Sequence, residues 1–222
     1  MALTRSIPRP ASRNTRRRLH NKMRPNYAQD APPTEITVGG FAYKTETDYR
    51  VWIEVQKDLR KINLSTKDPE KMHENECILE SIEKMIFGKV LADHNGDDVL
   101  MAIYQFLQGY PALPVERESG PQLLSLEYDI NMIIIAIQNQ SGIDLSYRRK
   151  EPYHWWEFLL QLQALSGSHH ILNLMEIRGY KGKDKDMLRL KRIHALPEEL
   201  SAEEQEQIDA FDAMFQPKGE NA

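Results

Sequence analysis

Tyr153-His154-Trp155-Trp156-Glu157-Phe158-Leu159-Leu160-Gln161-Leu162-Gln163-Ala164-Leu165-Ser166 is the stretch on which the reading of the fold turns. On a helix advancing about 100° per residue, Trp155, Leu159 and Leu162 share one narrow arc. Phe158 and Leu165 widen it on one side, Trp156 and Leu160 on the other. The apolar arc reaches about 220°, against about 100° for a helix that lies on a surface with one side buried. Such a helix needs cover on two sides. Either it is central in its own bundle, or another chain completes the cover. The indoles point about 100° apart, so they are expected in different pockets, each burying about 150–250 Å². One is expected in the core. The other is an interface candidate, because Trp is enriched at binding hot spots. Trp155, Trp156, Phe158 and Leu160 are therefore the partner-binding candidates of this helix.

The neighbouring segments also read as helices. Pro152 at a first-turn position and Glu151 near the positive end of the dipole are expected to start the Trp helix, and Gly167 to stop it just after Ser166. A shorter helix around 171–177 ends at Gly179, and a basic one follows from Asp184 to His194. Upstream, Met132–Ile137 is the longest apolar run, six residues, and suits strand or helix. Helix is preferred, because apolar residues extend back to Leu126 and Tyr128 and Gly142 stands at a helix C-terminal position. Val99, Ile103, Phe106 and Leu107 form a helical face after the breaker Asn95-Gly96-Asp97-Asp98. Ile78, Ile82, Met85 and Ile86 form another. Thr47 is placed to cap a helix bearing Tyr49, Trp52, Ile53 and Leu59. Ile36 and Val38, then Phe41 and Tyr43, alternate about Gly39-Gly40, the pattern of a two-residue β-hairpin.

The chain of 222 residues is 41% hydrophobic and 28% charged, with a formal net charge of −4, an ordinary globular composition. The single Cys77 excludes an intramolecular disulfide and a cysteine-rich metal site. No apolar run approaches the ~18 residues that span a bilayer, so no membrane partner is expected. The modest net charge hides two opposed ends. Residues 1–30 hold eight Lys/Arg, among them Arg16-Arg17-Arg18, and one acid, hence +7. Residues 195–222 hold eight acids and one Lys, hence −7. The first 34 residues contain five prolines and few large apolar residues, so they read as a disordered basic arm. A solubilising tail is the first reading of that arm, and phosphate neutralisation on nucleic acid the second. The last helix opens on the capping box Ser201-Ala202-Glu203-Glu204 and presents Ile208, Phe211 and Phe215, of which Phe211 and Phe215 join the partner-binding candidates.

Motifs that would carry chemistry fail on spacing. His73 and Cys77 stand four apart, but two ligands do not make a structural zinc site. Asp93–Asp98 has calcium-like acids with its Gly at position 4 and Tyr104 at position 12. His154 and Glu157 form an acid–base pair in type only, and His169-His170 reads as a loop pair. Gly179-Tyr180-Lys181-Gly182-Lys183 lacks the P-loop spacing. No catalytic residue, cofactor or metal is expected, and the chain is not expected to be an enzyme.

Three stretches carry a family resemblance: Thr47-Asp48-Tyr49-Arg50-Val51-Trp52-Ile53; Tyr128-Asp129 with the apolar run and Ser141-Gly142-Ile143-Asp144-Leu145; and His154-Trp155-Trp156-Glu157-Phe158, with Gly179-Tyr180 and Ile193-His194-Ala195-Leu196-Pro197 after it. In order and spacing, from about residue 40 to 197, the chain resembles bacteriophage proteins of long, non-contractile-tailed phages of Gram-positive hosts. These are encoded between the major tail tube protein and the tape-measure protein, and are regarded as tail assembly chaperones. The basic arm and the acidic helix after Leu200 depart from that pattern.

The resemblance implies a non-enzymatic helper in the host cytoplasm that binds the tape-measure protein and recruits tail tube subunits. Opposite charges at the two ends suit homo-oligomer formation. A structural tail component retained in the virion and a nucleic-acid binder acting through the arm are the alternatives. The expected architecture is mainly α: a bundle of about six to eight helices with a short N-terminal hairpin. Its parts are the arm (1–34), the helical domain (35–197) and an acidic C-terminal helix and tail (198–222).

Overall fold

A computed structural model describes residues 28–110 and 122–197. Two strands, β1 (Glu35–Val38) and β2 (Phe41–Lys44), precede seven helices: α1 (Tyr49–Leu59), α2 (Pro69–Phe87), α3 (Gly96–Leu107), α4 (Ile130–Ser141), α5 (Trp155–Gln163), α6 (His170–Gly179) and α7 (Lys185–Ile193). The mainly α architecture with a leading hairpin is the one expected. The strands pair antiparallel with Val38 opposite Phe41, and Gly39 and Gly40 take φ of 55° and 87° in the turn. Gly39 is required twice over. Its φ is left-handed, and a Cβ there would lie 2.8 Å from Nδ1 of His94.

Ile36 and Val38 point inward, and β1 packs on α3. α1 lies against α2 and α5; α4 lies against α5 and α6; α7 packs on α6. The core is aromatic at its centre. Trp52 stacks on Phe106 with centroids 4.4 Å apart, Tyr49 stacks on Phe158 at 4.7 Å, and Tyr110 meets Trp156 edge-on at 4.9 Å. Ile82, Ile103, Ile133, Ile137 and Leu145 fill the space around these rings.

Several helix ends differ from the sequence reading, each for an identifiable physical reason. The cap of α1 is Asp48, not Thr47: the Asp48 carboxylate accepts from the Arg50 N–H. Thr47 instead offers its carbonyl to the Trp155 N–H at 2.7 Å. α5 starts at Trp155 and Pro152 lies before it, because the His154 side chain is the N-cap. α5 stops at Gln163, where Gln140 of α4 donates to the Ala164 carbonyl at 2.9 Å. α4 begins at Ile130. Leu126 and Tyr128 belong to the preceding turn, and Tyr128 is exposed. Met85 also lies outside the inward stripe of α2.

The residues before the hairpin are attached to the body. The Pro33 carbonyl accepts from His154 Nε2, and the Asp30 carbonyl from the Tyr110 hydroxyl. Asp30 and Pro33, which the sequence reading places in the arm, are therefore anchored to the domain. Arg16, Arg17 and Arg18, and the segment bearing Phe211 and Phe215 that is expected to be an acidic helix, lie outside the described residues.

Candidate functional site

The α1 and α5 N-termini are built against each other. Asp48 and His154, the two N-caps, form an antiparallel bridge: Tyr49 N–H donates to the Tyr153 carbonyl and Trp155 N–H to the Thr47 carbonyl, at 2.9 and 2.7 Å. Each helix thus satisfies a first-turn donor of the other, a group that a helix cannot satisfy internally. His154 Nδ1 accepts from the Trp156 N–H, and Nε2 lies 2.9 Å from the Pro33 carbonyl. That geometry selects the neutral tautomer with hydrogen on Nε2. Burial lowers the His154 pKa, outweighing the opposite pull of the Pro33 carbonyl and the Glu157 charge. For Asp48, burial pushes the carboxyl upward, but hydrogen bonds from the Arg50 side chain and backbone bring it below the usual value. His154 thus serves as the side-chain N-cap of α5.

Both indoles of α5 lie in the core and serve one end of α3. Trp156 Nε1 donates to the Phe106 carbonyl at 2.8 Å, and Trp155 Nε1 to the Leu107 carbonyl at 3.2 Å. Both carbonyls lie in the last turn of α3; the Phe106 carbonyl takes the indole N–H beside that of Gly109 at 3.2 Å. The expected division into one core and one surface indole is corrected. Trp155 and Phe158 are 0% exposed and Trp156 is 9% exposed, so none of the three offers free surface. Leu160 is half-buried and packs against the core. The wide apolar arc is covered within one chain, because α1, α3 and α4 and Tyr110 reach it from several directions.

A buried ion pair organises the other end of the domain. Arg178 of α6 meets Asp129 in a two-pronged contact, with 2.6 Å from Nη1 to Oδ2 and 3.0 Å from Nη2 to Oδ1. The same guanidinium donates to the Leu123 and His194 carbonyls. Asp129 also accepts from the Ser125 N–H at 2.9 Å. One side chain therefore fixes the turn before α4 and the C-terminal end of α7. The sequence reading missed this pair: Asp129 and Arg178 stand 49 positions apart, and nothing in their local pattern couples them.

Two outer features flank that pair. The first is a groove of about 160 Å³ between α1 and the 126–130 turn, with Ile53, Leu126 and Ile130 on its apolar side and Glu54, Lys57, Arg60 and Glu127 among its polar lining. Lys57 and Glu127 approach to 3.5 Å across it. The second is α7, which buries none of its residues and exposes Leu188, Leu190 and Ile193 beside Lys185, Arg189 and Arg192. The groove is smaller than the ~300–1,000 Å³ of small-molecule pockets.

Among the described residues no three His, Cys, Asp or Glu side chains converge on a metal position. His73 Nε2 and Cys77 Sγ lie 3.8 Å apart on the exposed side of α2. Asn95 caps α3, and Asp97 and Asp98 occupy its first turn, where acids complement the helix dipole. His169 precedes α6 as its N-cap residue without a side-chain cap bond. No described helix is long and apolar enough to cross a membrane.

No curated protein and no solved structure matches the chain. A family model described as Bacteriophage Gp15 protein matches residues 35–198, from the first strand of the hairpin to just beyond α7. That match takes in the hairpin, the capped α1–α5 junction, the Arg178–Asp129 pair and the outer helix, so the chain belongs to the bacteriophage Gp15 protein family.

Proposed function

We propose that this phage protein is a tail assembly chaperone, which binds the tape-measure protein, helps recruit tail tube subunits, and works in the host cytoplasm without catalysing a reaction. The observation that carries the reading is the outer groove between α1 and the 126–130 turn. Its apolar side is small and its lining carries both signs of charge. Such a surface suits a weak contact with an amphipathic helix, whose apolar side chains enter a groove at helical spacing. Release is essential to a chaperone, and a contact of this size favours it over permanent association. The three stretches that carry the family resemblance support the same reading, since they supply the α1–α5 junction and the frame beneath the groove.

Co-expression with the tape-measure protein tests it. The expected result is soluble tape-measure protein only when this chain is present, and less of it when Ile53→Gln is combined with Lys57→Glu. Tape-measure protein that aggregates equally with and without this chain would remove the reading. Recovery of the chain in stoichiometric amounts from purified virions would replace it with a structural role in the tail.

A further inference from the structure

α7 is held to the domain along one side only. Lys191 donates to the Tyr180 carbonyl at 2.8 Å, and Arg178 grips the His194 carbonyl at the end of the helix. At about 100° per residue, Lys185, Arg189 and Arg192 fall within about 60° of arc and form a basic ridge. Ile193 and Leu190 continue the same surface, and Ile193 is 60% exposed. No acid among the described residues forms an ion pair with Lys185, Arg189 or Arg192.

The next part of the chain is complementary in sign, pattern and spacing. Residues 198–212 contain seven acids and no Lys or Arg. Ile208, Phe211 and Phe215 recur at helical spacing, and Glu204 and Asp212 stand four residues on either side of Ile208. Pro197 breaks the helical course just after α7. A chain returning antiparallel about residue 198 sets Arg192 opposite Glu204, each six positions from the centre. It sets Lys185 opposite Asp212, 13 and 14 positions away. The connection of 194–200 falls within the ~2–8 residues usual between antiparallel helices. The +7 arm at the other end of the chain would be repelled by the same ridge.

We infer that the outer surface of α7 is the docking site of this chain's own acidic segment, residues 201–216, which returns over α7 with Ile208 at the level of Leu188 and Leu190 and its acids on the basic ridge. The contact is independent of the chaperone reading. It covers an apolar and cationic surface that would otherwise meet other acidic chains, and salt weakens it, because exposed ion pairs are screened beyond about 8 Å at physiological ionic strength.

Hydrogen exchange followed by mass spectrometry on the full chain tests it. The natural chain is expected to protect amides across 187–193. Phe211→Ala with Phe215→Ala should raise exchange there about tenfold, leaving α5 peptides unchanged. Lys185→Glu with Arg192→Glu, both exposed, should do the same, and adding Glu204→Lys with Asp212→Lys should restore protection. Equal exchange across α7 in the natural and all altered chains would overturn the inference. So would protection that disappears on dilution, which would assign the surface to a second copy. If an altered chain exchanges globally, the natural chain at 0.02 M and 1 M salt decides instead. Faster exchange confined to α7 at high salt supports the contact, and no change refutes it.

Discussion

The α1–α5 junction and α7 both bring large apolar side chains to a helix, and the fold treats them in opposite ways. At the junction, rings from three helices stack on one another, and every indole N–H finds a backbone carbonyl: Trp52 on Glu46, Trp155 on Leu107 and Trp156 on Phe106. In α7, no described residue buries Leu190 or Ile193, and the polar anchoring comes from Arg178 and Lys191. Burial is decided by how many elements reach a helix. α5 meets α1 and α4, with the end of α3 closing over its indoles, whereas α7 rests on α6. The width of an apolar arc thus measures the number of neighbours a helix requires, and does not by itself mark a site for another chain.

Substitutions at the two regions should separate that contrast in order of size. Trp155→Ala should cost most. Removing a fully buried indole costs about 3–5 kcal/mol, and the Leu107 carbonyl loses its donor, which adds about 1–3 kcal/mol if it stays buried and unpaired. The fall in the urea midpoint measures the loss, and a change within error would contradict a core role. Arg178→Met comes next, at about 3–5 kcal/mol, because the Asp129 carboxylate would remain buried without its cation. Adding Asp129→Leu should recover a large part of the loss. No recovery would place the effect in the Leu123 and His194 hydrogen bonds instead.

Acid should weaken the junction more modestly. His154 has a folded pKa below its ordinary value of about 6.5, so the unfolded chain binds the extra proton first. The cap therefore contributes fully above pH ~6.5, and its contribution is lost as the pH falls from there through the lower folded pKa. His154→Asn, which retains a capping acceptor, should flatten the decline in stability between pH 7.5 and 5.5. An unchanged slope would put the titration elsewhere. Asp48 acts only at lower pH: its pKa is depressed, so its contribution persists above the ordinary carboxylate value and is lost as acid reaches the folded value. The smallest effect is expected in α7. Ile193→Glu touches the returning acidic segment but not the core, and should change global stability by about 1 kcal/mol or less. A loss of several kcal/mol would show that α7 is part of the core.

The helices were legible because their patterns are local. Gly39-Gly40, the Asn95 breaker, Gly142 and the Asp184–His194 limits of the last described helix each follow from turn chemistry or a cap within a few positions. The cap of α1 and the start of α5 were misplaced because both are set by a contact 106 positions apart in the chain, the Asp48–His154 bridge. The fate of the indoles was misread for a related reason. Angles around one helix report which way a side chain leaves the axis, and say nothing of a neighbouring helix end that can receive both rings. The groove was not legible either, since Ile53, Leu126 and Ile130 come from separate elements that Arg178 and Asp129 help hold in register.

Binding of the tape-measure protein to the purified full chain tests most directly whether the outer groove, and not the paired indoles, carries the function. Trp156→Phe preserves an aromatic core, and Ile53→Gln with Lys57→Glu alters the groove and, at half-buried Ile53, the edge of the core, so both variants are first shown to be folded. The account predicts that the tape-measure protein is retained by the natural chain and by folded Trp156→Phe, and lost from the groove variant. Retention by the groove variant with loss from folded Trp156→Phe, or no retention by the natural chain, would contradict it.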